Sequence, residues 1–474
     1  MQSRLKNPLE FGKLISQKKP PNQEDFSVRE TRVPQTSIFE FYSEHEFGTQ
    51  LKNLSRLLDK HEEIWLPLIE NDLIDKSVKN VGRSGISVES VFRCMLLKQM
   101  LQLSYDKLAF YLSDSMSYRA FARLADGVSP KKSSLQTTIR RINSDTLEKV
   151  FQALSLEWFN NGVISLEKIR IDSTVVNSNI ATPSDSQLLN DGVRVLSRLL
   201  IKSRDMTGVK LRFTDKRKDS KSLAFRIFDA KKAEKEALYP KLLQLVRVVL
   251  KQVERALQRV KQEGAVCESQ EKWLNQVEHY RNLLLKVIDQ TQRRVFNGEI
   301  VPASEKIVSL FEEHTDIIVK GLRDVEHGHK INLSSDADGF ITHLAIEKGN
   351  PNDADRFIPI IQEHLNTFGE IPDSTVSDGC YASLDNVQKG RALGIRRVVF
   401  HKKRGISYLD MGVKEKTFKK LRDFRAGIEG NISELKRVFG ASKATWKGAG
   451  GFKAFVWSSV LSYNLVRLAR AESG

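Results

Sequence analysis

A chain of 474 residues with 40% hydrophobic content is long enough for two or three packed domains, and 76 Lys and Arg against 59 Asp and Glu leave it a formal charge of +17, which favours a polyanionic partner, nucleic acid first. Cys94, Cys267 and Cys380 lie far apart with no CxxC pair, which argues against a disulfide framework or a zinc site and fits a reducing cytoplasm. No apolar run approaches the roughly 18–20 residues of a membrane helix, and MQSRLKNPLEFGKL lacks the apolar centre of a signal peptide, so export is not expected. Charge alone leaves one alternative open, a basic soluble enzyme with no nucleic-acid partner.

Residues 1–45 are polar, with KKPPNQED in their middle, and read as a flexible basic arm. Over 46–160 the pattern turns helical: SVESVFRCMLLKQMLQLSYDKLAFYLSDSMSYRAFARL spaces apolar residues three and four apart, with Ser and Asp at helix starts. A compact all-α domain is expected there. Short helices around KKSSLQTTIRRIN predict a helix-turn-helix laying Lys131, Lys132, Arg140 and Arg141 on phosphates; a solvated charged face is the plainer alternative.

KIRIDSTVV, residues 168–176, has the period of a strand, with Ile169 and Ile171 on one side and Asp172 on the other. A carboxylate in a buried strand is costly unless it is used or paired. A long helical stretch follows. Leu242, Leu245, Val249, Val253, Leu257 and Val260 on one helix are set to face Trp273, Val277, Tyr280, Leu284, Ile288 and Val295 on the next, an αα-hairpin whose seam is core. Its basic outer faces are either solvated or in contact with DNA.

Strands return at HGHKINLSSDADGFITHLAIEKG, a hairpin turning at Asp336, Asp338 and Gly339; His327 and His329 read as strand-edge residues rather than metal ligands. The segments DADRFIPIIQEHLNTFG, DSTVSDG, SLDNVQKGRAL and IRRVVFHK then alternate helix and strand, which builds parallel sheet. Ligands in such sheets bind beyond the carboxyl ends of strands. Asp378 lies at one such end.

The stretch RDFRAGIEGNISELKRVFG, Arg422–Gly440, carries an apolar stripe of Leu421, Phe424, Ile428, Ile432, Leu435 and Phe439 beside a charged one of Arg422, Arg425, Glu429 and Lys436. Glu429 can thus stand where the packed helix meets solvent, within reach of Asp172 and Asp378. Three gathered carboxylates repel one another unless cations neutralise them. Two Mg²⁺ ions about 3.5–4 Å apart would do so, activating a water or 3′-hydroxyl and stabilising the leaving oxygen of a phosphodiester. The competing reading is a solvated stripe with an Arg425–Glu429 pair on a bent helix.

The C-terminal half resembles the DDE transposases of bacterial insertion sequences, the ISNCY kind in particular. Those proteins carry Arg, three residues, Glu, six residues, Lys on the helix bearing the last acid, a spacing met here by Arg425, Glu429 and Lys436. Arg422 stands where the family has Tyr. RAGIEGNISELKR with KGAGGFKAFVW and YNLVRLA is similar to the ISNCY pattern as a whole, RIDSTVV matches the strand of the first acid, and SDGCYAS resembles D-x-G-[YF], with Gly379 one position early.

The resemblance implies an α/β fold, an RNase H-like core of mixed sheet flanked by helices. The core would occupy 161–180 and 321–440, with an all-α DNA-binding domain before it, a helical insertion at 181–320 between its first and second strands, and a C-terminal helix at 441–474. It implies Asp172, Asp378 and Glu429 as catalytic metal ligands, Asp353 as runner-up to Asp378 with Asp336 behind it, and Arg425 and Lys436 as phosphate-positioning residues. The implied activity is Mg²⁺-dependent cleavage at element ends and joining of 3′ ends to target DNA, with Mn²⁺ able to substitute. Double-stranded DNA and a homodimer or larger assembly are the implied partners, in the bacterial cytoplasm at the nucleoid. A nuclease that cuts without joining, and a non-catalytic DNA-binding relic of a transposase, stay open.

Overall fold

Serine caps begin three of the N-terminal helices in the computed structural model, which describes residues 31–32, 42, 44–74, 85–125, 127–263, 267–320 and 324–471. The basic arm read over 1–45 lies almost wholly outside the described residues. Helices α1 (Glu46–Lys60) and α2 (Glu62–Leu73) precede α3 (Val88–Met100), where Ser87 Oγ accepts from Ser90 N at 3.1 Å. Ser104 and Ser115 cap α4 (Tyr105–Asp114) and α5 (Met116–Ala122) in the same way, and α6 (Lys132–Ile139) and α7 (Ser144–Asn160) follow. Each cap satisfies an amide that the first turn leaves unpaired.

Helix α3 is buried on every side, so its charges must be paired internally. Arg93 is fully enclosed, with its guanidinium on Glu89 at 3.0 Å, Asp59 at 2.7 Å and Ser55 at 3.0 Å.

The chain then enters β1 (Lys168–Asn177), whose Ile169 and Ile171 are wholly buried while Arg170 and Asp172 lie on the opposite face. Chain contacts divide the molecule at the end of this strand: residues up to Asn177 join His329–Gly474 in one unit, and Ser178–Gly328 forms another.

The Ser178–Gly328 unit holds α8 (Asp185–Thr207), α9 (Arg217–Asp229), α10 (Lys232–Glu263), α11 (Glu268–Thr291) and β2 (Asp316–Lys320). The residues of the expected α10–α11 seam share one apolar core, with Leu245, Tyr280 and Val295 at its margin. Helix α8 is part of that core as well. Its Gly192 lets Leu284 approach so closely that a Cβ there would lie 2.4 Å from Leu284 Cδ1, and its Leu199 carbonyl accepts from Trp273 Nε1 at 2.7 Å. Strand β2 pairs antiparallel with residues 324–328 of β3 (Asp324–Ser335).

In the first unit β4 (Ile341–Ile346) pairs antiparallel with residues 331–335 of β3, and Asp336–Phe340 turns between them with Gly339 at φ +82°. After α12 (Phe357–Phe368), β5 (Ser374–Ser377), α13 (Leu384–Ala392) and β6 (Arg397–Phe400), the sheet runs β3-β1-β5-β6, with β1, β5 and β6 parallel. Ile169, Ile171, Val398 and Phe400 share one face of these strands and one core with Phe357 and Ile360 of α12. This mixed sheet flanked by helices is the α/β core expected from the sequence.

Buried within it, His364 on α12 places Nδ1 2.8 Å from the Ile360 carbonyl and Nε2 3.1 Å from both Ser334 Oγ and Thr342 Oγ1. Desolvation drives its pKa from 6.5 down to about 4. The unfolded chain therefore takes up the proton first, so this contribution to stability is whole above pH 6.5 and is lost as pH falls from 6.5 to 4. The expected loss is about 3 kcal/mol. Urea titrations of wild type and His364→Gln across that window should show a shallower acid dependence in the variant.

The Arg422–Gly440 stretch departs from the single helix its periodicity predicts. It divides into the end of α14 (Glu415–Arg425) and all of α15 (Gly427–Arg437), broken at Ala426. The cause lies on β1. Arg170 Nη1 donates to the Phe424 carbonyl at 3.2 Å, the acceptor that the Ile428 amide would use in a continuous helix, and a side chain inserted into the ladder bends it. Gly427 makes the insertion possible, since a Cβ there would lie 1.8 Å from Arg170 Nη1. The close neighbour of Gly427 is thus a buried guanidinium rather than DNA, whereas Gly430 faces open space.

The last helix, α16 (Ala449–Ala471), is buried along most of its length and packs into the core of the N-terminal helices and of β3 and β4. One apolar interior therefore runs from Leu51 to Ala469 within this unit.

Candidate active site

Strand register brings the first two acids together. In the parallel β1–β5 pair Ile171 lies opposite Ser377, so the next step sets Asp172 beside Asp378, on strands about 4.8 Å apart. Asp378 leaves β5 in extended conformation, and Gly379–Tyr381 then forms one 3-10 turn. The early glycine has a steric reason, because a Cβ at Gly379 would lie 2.8 Å from Lys402 Cβ. Tyr381 drops into the core and donates its hydroxyl to Asn332 Oδ1 at 2.6 Å, while Asn386 holds the Tyr381 carbonyl at 2.9 Å. The turn carrying Asp378 is thereby anchored from below.

Arg425, at the end of α14, joins the strand to the helix. Its Nη2 lies 2.6 Å from Asp172 Oδ2 and its Nη1 2.5 Å from Glu429 Oε1. Asp172 and Arg425 are mostly buried, whereas the Glu429 side chain is 64% exposed. The Arg425–Glu429 pair and the bend of the competing reading are present, and the same guanidinium ties Glu429 to Asp172.

Burial raises Asp172 to about 6 against the pull of Arg425 and the Ser173 amide, and the nearby charges of Asp378 and Asp353 push the same way. Burial also acts on Asp378, but the Gly379 amide, Arg425 and Cys380 outweigh it and hold that carboxyl below its ordinary value. Asp353 belongs to this neighbourhood and is paired with Lys330 at 2.7 Å. Asp336 does not join it. It is wholly buried at the β3–β4 turn, accepting from Phe340 N at 2.8 Å and Ser165 N at 3.3 Å.

Oxygen donors in a half-buried cluster suit hard divalent cations, and a carboxylate raised by burial beside other acids is the condition such a charge relieves. Arg425 is the present countercharge. Among the described residues no three His, Cys, Asp or Glu side chains are grouped closely enough to enclose a metal ion, because Glu429 reaches Asp172 only across that guanidinium. Lys436 stands seven residues beyond Glu429, about 10 Å along the helix.

Lys131, Lys132, Arg140 and Arg141 are all exposed around α6. Lys132 lies 3.8 Å from Asp106, and Arg140 Nη2 donates to the Lys447 carbonyl at 3.1 Å.

Sequence reasoning passed over Arg170, Lys330 and the Tyr381–Asn332 anchor. Arg170 alone left a signal, since it shares Asp172's face of β1, two residues away.

The sheet and its carboxylates define an RNase H-like core. A family model described as transposase DDE domain matches residues 323–465, and one described as transposase domain (DUF772) matches residues 40–141. The chain belongs to the DDE-type insertion-sequence transposases. No curated protein and no solved structure matches it. No helix among the described residues is long and apolar enough to cross a membrane.

Proposed function

We propose that the protein cuts DNA at the ends of a mobile element of the ISNCY kind and joins the freed 3′ ends to target DNA, acting at the nucleoid. The observation that carries this reading is the strand-register pairing of Asp172 with Asp378, with Arg425 linking Asp172 to Glu429. Asp172 and Asp378 would hold divalent cations, with Glu429 completing the set once Arg425 releases it. Mg²⁺ or Mn²⁺ so held would supply Lewis-acid activation of the attacking and leaving oxygens.

The chain's own residues do the rest. Asp172 is held in its rotamer by the Ser173 amide at 2.8 Å, and the anchored Tyr381 turn keeps Asp378 against it. Arg425, freed from its carboxylates, and Lys436 further along α15 would bind phosphates flanking the scissile bond. Lys131, Lys132, Arg140 and Arg141 would grip backbone at a distance, and two copies of the chain would pair the two ends.

The test mixes purified protein with labelled DNA carrying the sequences that flank its own gene, with Mg²⁺ or Mn²⁺. Cleavage and joined products, both abolished by EDTA, are expected. Cleavage without joining would favour a nuclease, and binding with neither reaction a DNA-binding relic.

End binding should also be steeply salt-dependent, falling by about 0.9 log unit per neutralised phosphate for each tenfold rise in salt. Anisotropy titrations of an end duplex at several salt concentrations measure the slope. A flat profile would rule out a mainly electrostatic footprint.

A further inference from the structure

A second polar site lies in the unit that carries the carboxylates. The start of α4, helix α6 and the 440–447 loop enclose a cleft of about 730 Å³. Lys98 sits at its base, 5% exposed, with Nζ 4.9 Å from the Tyr105 ring centre and 5.7 Å from that of Trp446. Neither the Tyr105 hydroxyl nor the Trp446 indole N–H, both buried, has a hydrogen-bond partner. Among the described residues no carboxylate pairs with Lys98, and none lines the cleft. The Lys132, Arg140 and Lys447 side chains stand at its mouth.

The chemistry of these groups is one-sided. An ammonium and an indole can only donate, and the phenol adds an O–H without an acceptor, all gathered where water is largely excluded. Aromatic faces offset part of the cost of burying the ammonium, yet desolvation still pulls Lys98 down to about 8. Of the neighbouring amides, Gln99 donates to the Phe439 carbonyl at 2.6 Å and accepts from Ser458 Oγ at 3.3 Å, and Gln102 donates to the Val438 carbonyl at 3.1 Å. The missing partner is an anion with several acceptor oxygens.

Position narrows the choice. The Asn177 amide donates to the Ser442 carbonyl at 3.1 Å and the Ala444 amide to Asn177 at 2.8 Å. The loop is thus stitched to the end of β1, five residues past Asp172, roughly 16 Å along the strand. That distance spans on the order of five base steps of DNA.

We propose that this cleft is a phosphate-binding subsite that takes a backbone phosphate of the bound DNA, with Lys98, Tyr105 and Trp446 as its ligands. The proposal rests on the transposase reading and adds a fixed anchor point to it. Phosphate oxygens would accept from all three donors, while Lys132, Arg140 and Lys447 hold the flanking phosphates.

The test measures the binding of a labelled random-sequence DNA duplex to the full chain by anisotropy across salt concentrations, alongside thermal unfolding without DNA. Lys98→Met should weaken binding about tenfold at low salt and reduce the salt slope by about 0.9. Tyr105→Phe keeps the ring and removes only the donor, so folding is not at risk; it should weaken binding several-fold. Both changes should raise the melting temperature of the free protein, because each removes polar groups left unsatisfied without DNA. Unchanged affinity and slope in variants that melt at or above wild type would overturn the proposal. So would inorganic phosphate raising the melting temperature of wild type alone while duplex affinity stays equal, because the ligand would then be a free anion. Wild type failing to bind any duplex would remove the transposase reading as well, whereas unchanged variants remove only the subsite.

Discussion

Glu429→Gln is expected to bring strand cleavage and joining down to background, a loss of at least about 10²-fold, while binding of an end duplex stays near wild type. Even the groups that merely orient a metal ligand are worth 10–100-fold, and the ligand itself more. The loss would not come from unfolding, because Glu429 is mostly exposed and is tied to Arg425 at 2.5 Å, an (i, i+4) contact of the kind worth about 0.3–0.5 kcal/mol. Asp172→Ala and Asp378→Ala should be equally inactive yet bind DNA nearly as well as wild type, because affinity is expected to reside in phosphate contacts elsewhere. Labelled end DNA with Mg²⁺ reads all three variants in one gel. Normal cleavage by Asp378→Ala would move the second acid to Asp353, which already lies within electrostatic reach of Asp172.

Gly427→Ala should destabilise the protein by about 2–4 kcal/mol, an outcome that helix propensity alone would predict with the opposite sign. The added methyl needs the space of the Arg170 guanidinium, 1.8 Å away at Nη1 and 2.6 Å at Cζ. Arg170 is 7% exposed and bound to Ser335 Oγ at 3.0 Å and the Phe424 carbonyl at 3.2 Å, with its guanidinium 4.7 Å over the Phe424 ring. Displacing it leaves a buried charge with fewer partners. In an Arg170→Met background the same substitution should cost little, or stabilise by up to about 1 kcal/mol. Melting temperatures of the four proteins complete the cycle, and additive effects would mean that Arg170 and Gly427 do not interact. Gly427→Ala should also slow cleavage, because the break at Ala426 sets where α15 begins and so where Glu429 stands.

Much of the core was legible from the chain. The alternation of Ile169, Ile171 and Asp172 gave β1 its two faces, and the helix–strand alternation after Asp353 gave the parallel strands and put Asp378 at a strand end. Asp336 and Gly339 announced their turn by residue type. The break at Ala426 was hidden, because its cause is a guanidinium on a strand far earlier in the chain, and periodicity carries only local information. Helix α8 was recognisable as a helix, but nothing in its own pattern said that Gly192 admits Leu284. The role of Arg425 as a link between Asp172 and Glu429 required the packing of α14 and α15 against β1, which no linear spacing contains.

The burial of α16 bears on the order in which the molecule can be made. Its residues fill the interior of α3 and α7, yet they leave the ribosome about 290 residues after Asn160, a delay of roughly 15 to 60 s at ordinary rates of synthesis. Throughout that interval the earlier helices expose the apolar surface that α16 will cover. In a nascent chain that surface therefore stays uncovered until late, when aggregation competes with folding.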